Sequence, residues 1–128
     1  MYSYKSILLL IIILFSNVIY SQTGPGGVQA TDGSSNLTLW LSADHIIQAN
    51  DTDVTLWNDQ SGYNNHATAP GNDPVYTANV LNGNPTVRFT KTNESYLRID
   101  DNASLKPETI SIFLVASYND VSDDWAPF

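Results

Sequence analysis

Several residues in this chain have the types and spacing to do chemistry. Asp44, Asp51 and Asp53 fall between Ser42 and Asp53, and hard cations such as calcium take oxygen ligands. No glycine-centred loop frames these acids, so solvated charge is the expectation. His45 and His66 have no cysteine and no H-x-x-x-H companion, which makes a zinc site improbable. Ser61, His66 and Asp59 supply the residue types of a nucleophilic triad, but they crowd one turn. A working triad needs a base oriented by a group from elsewhere in the fold. Glu94 and Glu108 are the only glutamates, so a strand bearing the E-x-D-x-x-E carboxylates of a glucan-cleaving enzyme is missing. No catalytic residue is expected. Tyr63, at the tip of the 58–66 turn, is the aromatic with most expected exposure and could stack on a sugar ring, with edge packing as the favoured role. Trp40 is a second sugar platform on paper, with core or edge packing as the competing role.

The elements that position these residues are short and alternating. Leu37, Leu39 and Leu41 share one face of an expected strand, with Thr38 and Trp40 on the other. Val54 to Trp57 reads as the next strand, and Asn58 to His66 as a polar turn cluster in which the Asp59 carboxylate accepts from the N–H groups ahead of it. Asn64 and Asn65 tolerate left-handed dihedrals. Val75 to Val80, Thr86 to Thr90 and Tyr96 to Ile99 read as an antiparallel meander. Asn82-Gly83 between the first two is a strong hairpin signal, and Pro85 belongs at a strand start. Val87 and Phe89 are expected inward, Arg88 outward, and Leu97 and Ile99 on one side. Thr109 to Ser117 is apolar on both faces, the pattern of a strand in the middle of a covered sheet. No amphipathic helix and no internal repeat is visible, so the fold class is all-β, a sandwich.

Composition sets the address and the excluded partners. The chain has 128 residues, no cysteine and a formal charge of -8, which bounds it to one small acidic domain. After Lys5 an apolar run of nine residues, Ile7 to Phe15, ends at Ser16 and Asn17. A membrane anchor needs about 20 apolar residues. A basic start, a short apolar core and a small-residue exit describe a secretory signal peptide over 1–21. Its removal takes one base and no acid, leaving thirteen acids against four bases and a charge of -9. Such a chain repels nucleic acid and anionic membrane surfaces. Residues 22–35, rich in glycine and small polar types, read as a flexible linker.

Against that frame, LTLWLSAD (37–44), VTLWNDQSGYNNHAT (54–68), PTVRF (85–89), Tyr96-Leu97 and TISIFLV (109–115) resemble the opening half of LamG-like jelly-roll modules of the concanavalin A-like lectin/glucanase superfamily. The W-x-D-Q-S-G-x-x-N-x-A element, Trp57 to Ala67, is the most specific part. The resemblance covers about Asn36 to Tyr118 and implies that 36–128 is the N-terminal part of an antiparallel jelly-roll β-sandwich, an incomplete one or a fragment, since the family continues with further strands. It implies a secreted or cell-surface protein of bacterial type and a non-catalytic recognition role toward carbohydrate or another surface ligand. A structural spacer or adhesin segment, or a fragment of a polysaccharide-degrading enzyme, are the alternatives. The resemblance also implies that Asp59 and Asn65 present oxygens to calcium. After its Arg-Phe pair this chain carries Thr90-Lys91-Thr92-Asn93-Glu94 where the family often has Asp-Gly and further acids, which weakens a metal role for that turn.

Overall fold

The computed structural model describes residues 23–27 and 29–118. The expected signal segment, 1–21, and the C-terminal ten residues lie outside the described residues. Among the described residues there are six strands: β1 (Thr52–Asp53), β2 (Leu56–Trp57), β3 (Ala67–Thr68), β4 (Val75–Leu81), β5 (Asn84–Arg88) and β6 (Arg98–Ile99). The only helical elements among the described residues are single 3₁₀ turns at Pro25–Gly27, Ala43–His45 and Ala103–Leu105, and none is long and apolar enough to cross a membrane. The class is all-β, built as two three-stranded antiparallel sheets, one ordered β1-β4-β5 and the other β2-β3-β6.

The stretch expected as one strand from Val54 to Trp57 instead divides between the sheets. Asp51 N and Val54 N donate to Tyr76 O and Pro74 O at 2.9 and 2.7 Å, which ties this side to β4. One residue later Thr55 O accepts from Ala69 N at 3.0 Å, and β2 pairs with β3 through Leu56–Thr68 and Trp57–Ala67. Val54 is the pivot at which the chain changes sheets, and it has no solvent exposure. With Ala67 it forms the buried apolar core among the described residues, and Pro74 is enclosed beside it.

The hairpin follows its sequence signal. Asn82 and Gly83 both have positive φ, 51° and 84°, the primed-turn geometry whose twist matches that of the flanking strands. Its β4–β5 ladder slips between Thr77 and Leu81, where Asn79 takes a φ of 56°, as a bulge residue does. Pro85 lies in β5, an edge strand, where its missing N–H removes no ladder bond. The third run of the expected meander does not join this sheet. Its end, β6, pairs with β3 through Ile99–Ala67 and Arg98–Thr68, because a period of two reports which side is buried and not which strand lies alongside. Leu97 and Ile99 are half-buried on one side with Tyr96 and Arg98 exposed, as the alternation requires. Val87 is half-buried, whereas Phe89 is about half exposed.

Two further expectations are corrected. Leu37 to Leu41 is half-buried but joins no ladder. Thr109 to Ser117, expected as the most buried strand, pairs with no strand, and Ile112, Phe113 and Val115 are 78, 96 and 90% exposed. An uncharged extended run with apolar side chains on both sides is a template for edge-to-edge association. The full chain is therefore expected to self-associate with rising concentration, and the double substitution Ile112→Lys/Phe113→Lys to raise the monomer fraction. Light scattering on size-exclusion fractions checks this, and equal monomer fractions for the two proteins would refute it.

Candidate functional site

The polar side chains buried among the described residues gather on one turn. Asp59, Ser61 and Asn65 are 7, 0 and 3% exposed, more enclosed than nearly every apolar side chain described. They lie on the turn that follows β2, and the turn is organised by one carboxylate. Asp59 Oδ1 accepts from Ser61 N at 2.9 Å, the local Asx-type bond the sequence calls for, and from Trp40 N at 2.8 Å. Oδ2 accepts from Ser61 Oγ at 2.6 Å and from Asn65 N at 3.0 Å. Burial by itself pushes the Asp59 carboxyl up, but the bonds from Ser61, Trp40 and Asn65 together hold it below the ordinary aspartate value of 3.8.

The rest of the turn extends the same network. Asp59 N donates to His66 Nδ1 at 3.0 Å, which places the imidazole proton on Nε2. Gln60 N donates to Trp40 O at 2.8 Å, so residues 59 and 60 hold both main-chain groups of Trp40. Asn65 Nδ2 donates to Thr38 O at 2.7 Å and to Ser104 Oγ at 2.8 Å, joining segments far apart in sequence. Its Oδ1 is buried without a partner. Trp57 Nε1 donates to Ser42 O at 3.0 Å. Asn64 adopts the left-handed conformation at φ 59°, as expected of the Asn64-Asn65 pair, whereas Asn65 is not among the residues of positive φ.

Residues 22–35, expected as a flexible linker, dock on this turn through their described part. Gly33 N donates to Ser61 O at 3.3 Å, and Gly24 N to Gln29 O at 3.0 Å. Ser35 Oγ donates to Ala30 O at 2.7 Å, and Ser34, through its N–H and hydroxyl, caps the Asp32 carboxylate and holds that acid below its ordinary value. The approach requires glycine at position 62. Its φ is +90°, and a Cβ there would stand 2.3 Å from Gly33 N and 2.5 Å from Thr31 O.

The fold brings the sequence-derived candidates Asp59, Asn65 and Tyr63 onto one turn, with structural duties. Calcium asks for six to eight oxygen ligands, and each Asp59 oxygen already accepts two hydrogen bonds from protein donors. Among the described residues no three acidic or histidine side chains gather as a cation cage. The residues present fit a hydrogen-bonded support better than a calcium site. Tyr63 is half-buried and its hydroxyl donates to Ser35 O at 2.8 Å, which spends its polar end on the N-terminal segment. Ser61, His66 and Asp59 meet, but the serine hydroxyl is fully buried against the carboxylate and His66 Nδ1 faces main chain, so no nucleophile–base pair forms among them.

Two clefts were not legible beforehand. One, of about 500 Å³, is lined by Asp53, Asn72, Asp73, Thr92, Asn93 and Glu94. The other, of about 310 Å³, is lined by Thr23, Thr31, Trp40, His45 and Gln60, with the imidazole of His45 edge-on to the Trp40 indole at 5.4 Å between ring centres. The one advance signal for the second cleft was Trp40 standing on the face opposite the leucines.

Comparison of the chain with protein-family models, with curated proteins and with solved structures finds no match in any of the three. The likeness to LamG-like modules therefore rests on the motif residues themselves.

Removing the Asp59 acceptor leaves four donors without their partner in a closed turn, and Asp59→Ala is expected to cost about 3 kcal/mol or more of folding stability, read as a lowered urea midpoint. Because the folded carboxyl titrates below its unfolded value, the unfolded chain binds more protons in that interval. The stabilisation is complete above the unfolded value of 3.8 and fades as pH falls through the folded one. Urea midpoints taken on acidification should fall less steeply for Asp59→Asn than for the unaltered chain.

Tyr63→Phe deletes one tether of the N-terminal segment. Amide exchange at Gly33 and Ser34 should quicken by about fivefold or more, while amides of the β4–β5 hairpin keep their rates. Unchanged exchange at Gly33 would show that the tyrosine does not hold this segment.

Proposed function

We propose that this chain is a secreted, non-catalytic recognition module of LamG-like jelly-roll type, binding carbohydrate or another cell-surface ligand through loops at one edge of its sandwich. One observation carries the reading: the loops from Ala30 to Ser42 and from Asn58 to His66 are fastened to each other by the buried Asp59 carboxylate and its neighbours. Ordering a loop costs free energy, and a binding surface whose loops are ordered beforehand avoids that cost when the ligand arrives. The acidic charge of the chain disfavours polyanions such as nucleic acid and leaves neutral or cationic ligands. Calcium has no part in the proposal, since both Asp59 oxygens are engaged by protein donors within the turn.

A second reading, a structural spacer or adhesin segment of a larger surface protein, is favoured by a different observation. The run from Ile110 to Val115 exposes apolar side chains on both faces, and a contiguous exposed apolar stretch of that kind marks a surface made for contact with other polypeptide.

A glycan array followed by isothermal titration of the full chain, with and without calcium, separates these readings. The recognition reading expects saturable binding of at least one neutral glycan that persists in the presence of a chelator. Silence across a broad panel would overturn it in favour of the structural role.

A further inference from the structure

We infer that the cleft between the Trp40 indole and the Gln60 carboxamide is a binding site for one neutral pyranose ring. The inference rests on the recognition reading above and places the site at Trp40, the second aromatic the sequence offers as a sugar platform, rather than at Tyr63 or the oxygens of Asp59 and Asn65. The lining residues decide the ligand class. The half-buried indole of Trp40 supplies apolar surface, and Thr23, Thr31, His45 and Gln60 surround it with groups that donate and accept hydrogen bonds. Gln60 Nε2 spends one bond on Asn58 O at 3.2 Å, which leaves its carbonyl oxygen and a second N–H.

Charge excludes the competing classes. A cation would find no carboxylate in this lining, and Asp59, which lies behind it, is committed on both oxygens. The other cleft, with Asp53, Asp73 and Glu94 on its walls, is the one whose chemistry suits positive charge. An anion would approach a chain of net charge -8 with no arginine or lysine in the cleft to receive it. What remains is an uncharged molecule with an apolar face and a rim of hydroxyls, and a pyranose has both, its axial C–H groups on one side and hydroxyls around its edge. A volume of about 310 Å³ lies at the small end of ligand sites, which run from about 300 to 1,000 Å³, and suits one ring or the terminal ring of a longer glycan.

The platform is held in place before any ligand comes. Trp40 is fixed through its N–H by Asp59 and through its carbonyl by Gln60 N, and Gln60 itself lines the cleft. The turn that carries the motif thus sets both the platform and one polar wall, and preorganisation of that kind is what a small, shallow site needs for measurable affinity.

The test titrates the full chain with methyl glycosides and disaccharides of glucose, galactose and mannose, by calorimetry and by saturation-transfer NMR. At least one should bind, with saturation strongest at ring C–H protons. Trp40→Ala should weaken that binding about tenfold or more. Gln60→Ala keeps the main-chain bond to Trp40 and should weaken it about three- to tenfold, so it decides the matter even if the tryptophan variant does not fold. Asp73→Asn, in the acidic cleft, should leave it unchanged. If a sugar binds and a folded Gln60→Ala binds as well as the unaltered chain, the site lies elsewhere and the recognition reading survives without it. If no sugar binds here or on the wider array, both fall together.

Discussion

The structure depends on one buried carboxylate whose lone pairs are all spoken for. A charged oxygen pair taken out of water without partners would be among the most costly events in folding, so Asp59 is tolerable only where donors converge on it. Here the donors come from three separated places, residue 40, residue 61 and residue 65. Because the carboxylate needs all of them, it fixes the course of all of them. The N-terminal segment is held beside the turn by side chains and single main-chain bonds rather than by a strand ladder, which explains how these loops keep one arrangement although little apolar surface is enclosed among the described residues.

That arrangement exchanges sheet for side-chain bonding over 37–42. Trp40 gives its N–H to a carboxylate and its carbonyl to Gln60 N, and Thr38 gives its carbonyl to Asn65. Short polar side chains near backbone offer it an alternative to a ladder, and in this segment the alternative wins. The leucine alternation implied a strand with one shielded side, but residues 37 to 41 are all half-buried alike and join no ladder. It could not signal that the partners would be Asp59, Gln60 and Asn65, because those are contacts across a sequence distance on which periodicity is silent.

The same distinction separates what was legible from what was not. Local chemistry could be read directly: the Asp59–Ser61 bond, the left-handed Asn64, the Asn82-Gly83 turn and the place of Pro85 near the start of β5 each follow from one or two neighbouring residues. Pairing could not. Leu97 and Ile99 were assigned to the correct side, yet β6 lies along β3 rather than β5, since several partners satisfy the same period of two. The docking of residues 29–35 was hidden for a related reason. Glycine and serine look like a flexible tether unless a second glycine, here Gly62, leaves room for the backbone to approach. The polar candidates Asp59, Asn65 and Tyr63 were found, but their residue types alone do not say whether their polar atoms face outward or into the protein.

That ambiguity is general to Asp, Asn and Ser on tight turns. Oxygen atoms converging from residues two to six apart make a cation cage if they point to a common void, and a backbone clamp if main-chain N–H groups fill it first. In this chain the N–H groups of Trp40, Ser61 and Asn65 occupy the Asp59 carboxylate, and the turn becomes a support. A support has value only for what it presents. What the Asp59–Gln60 pair presents is Trp40, gripped at both main-chain atoms, with its indole along a cleft that the same turn helps to wall. In the proposed recognition role, the most recognisable element of the sequence would act one step back from the ligand, with the contact made by an aromatic residue that the motif grips through its main chain.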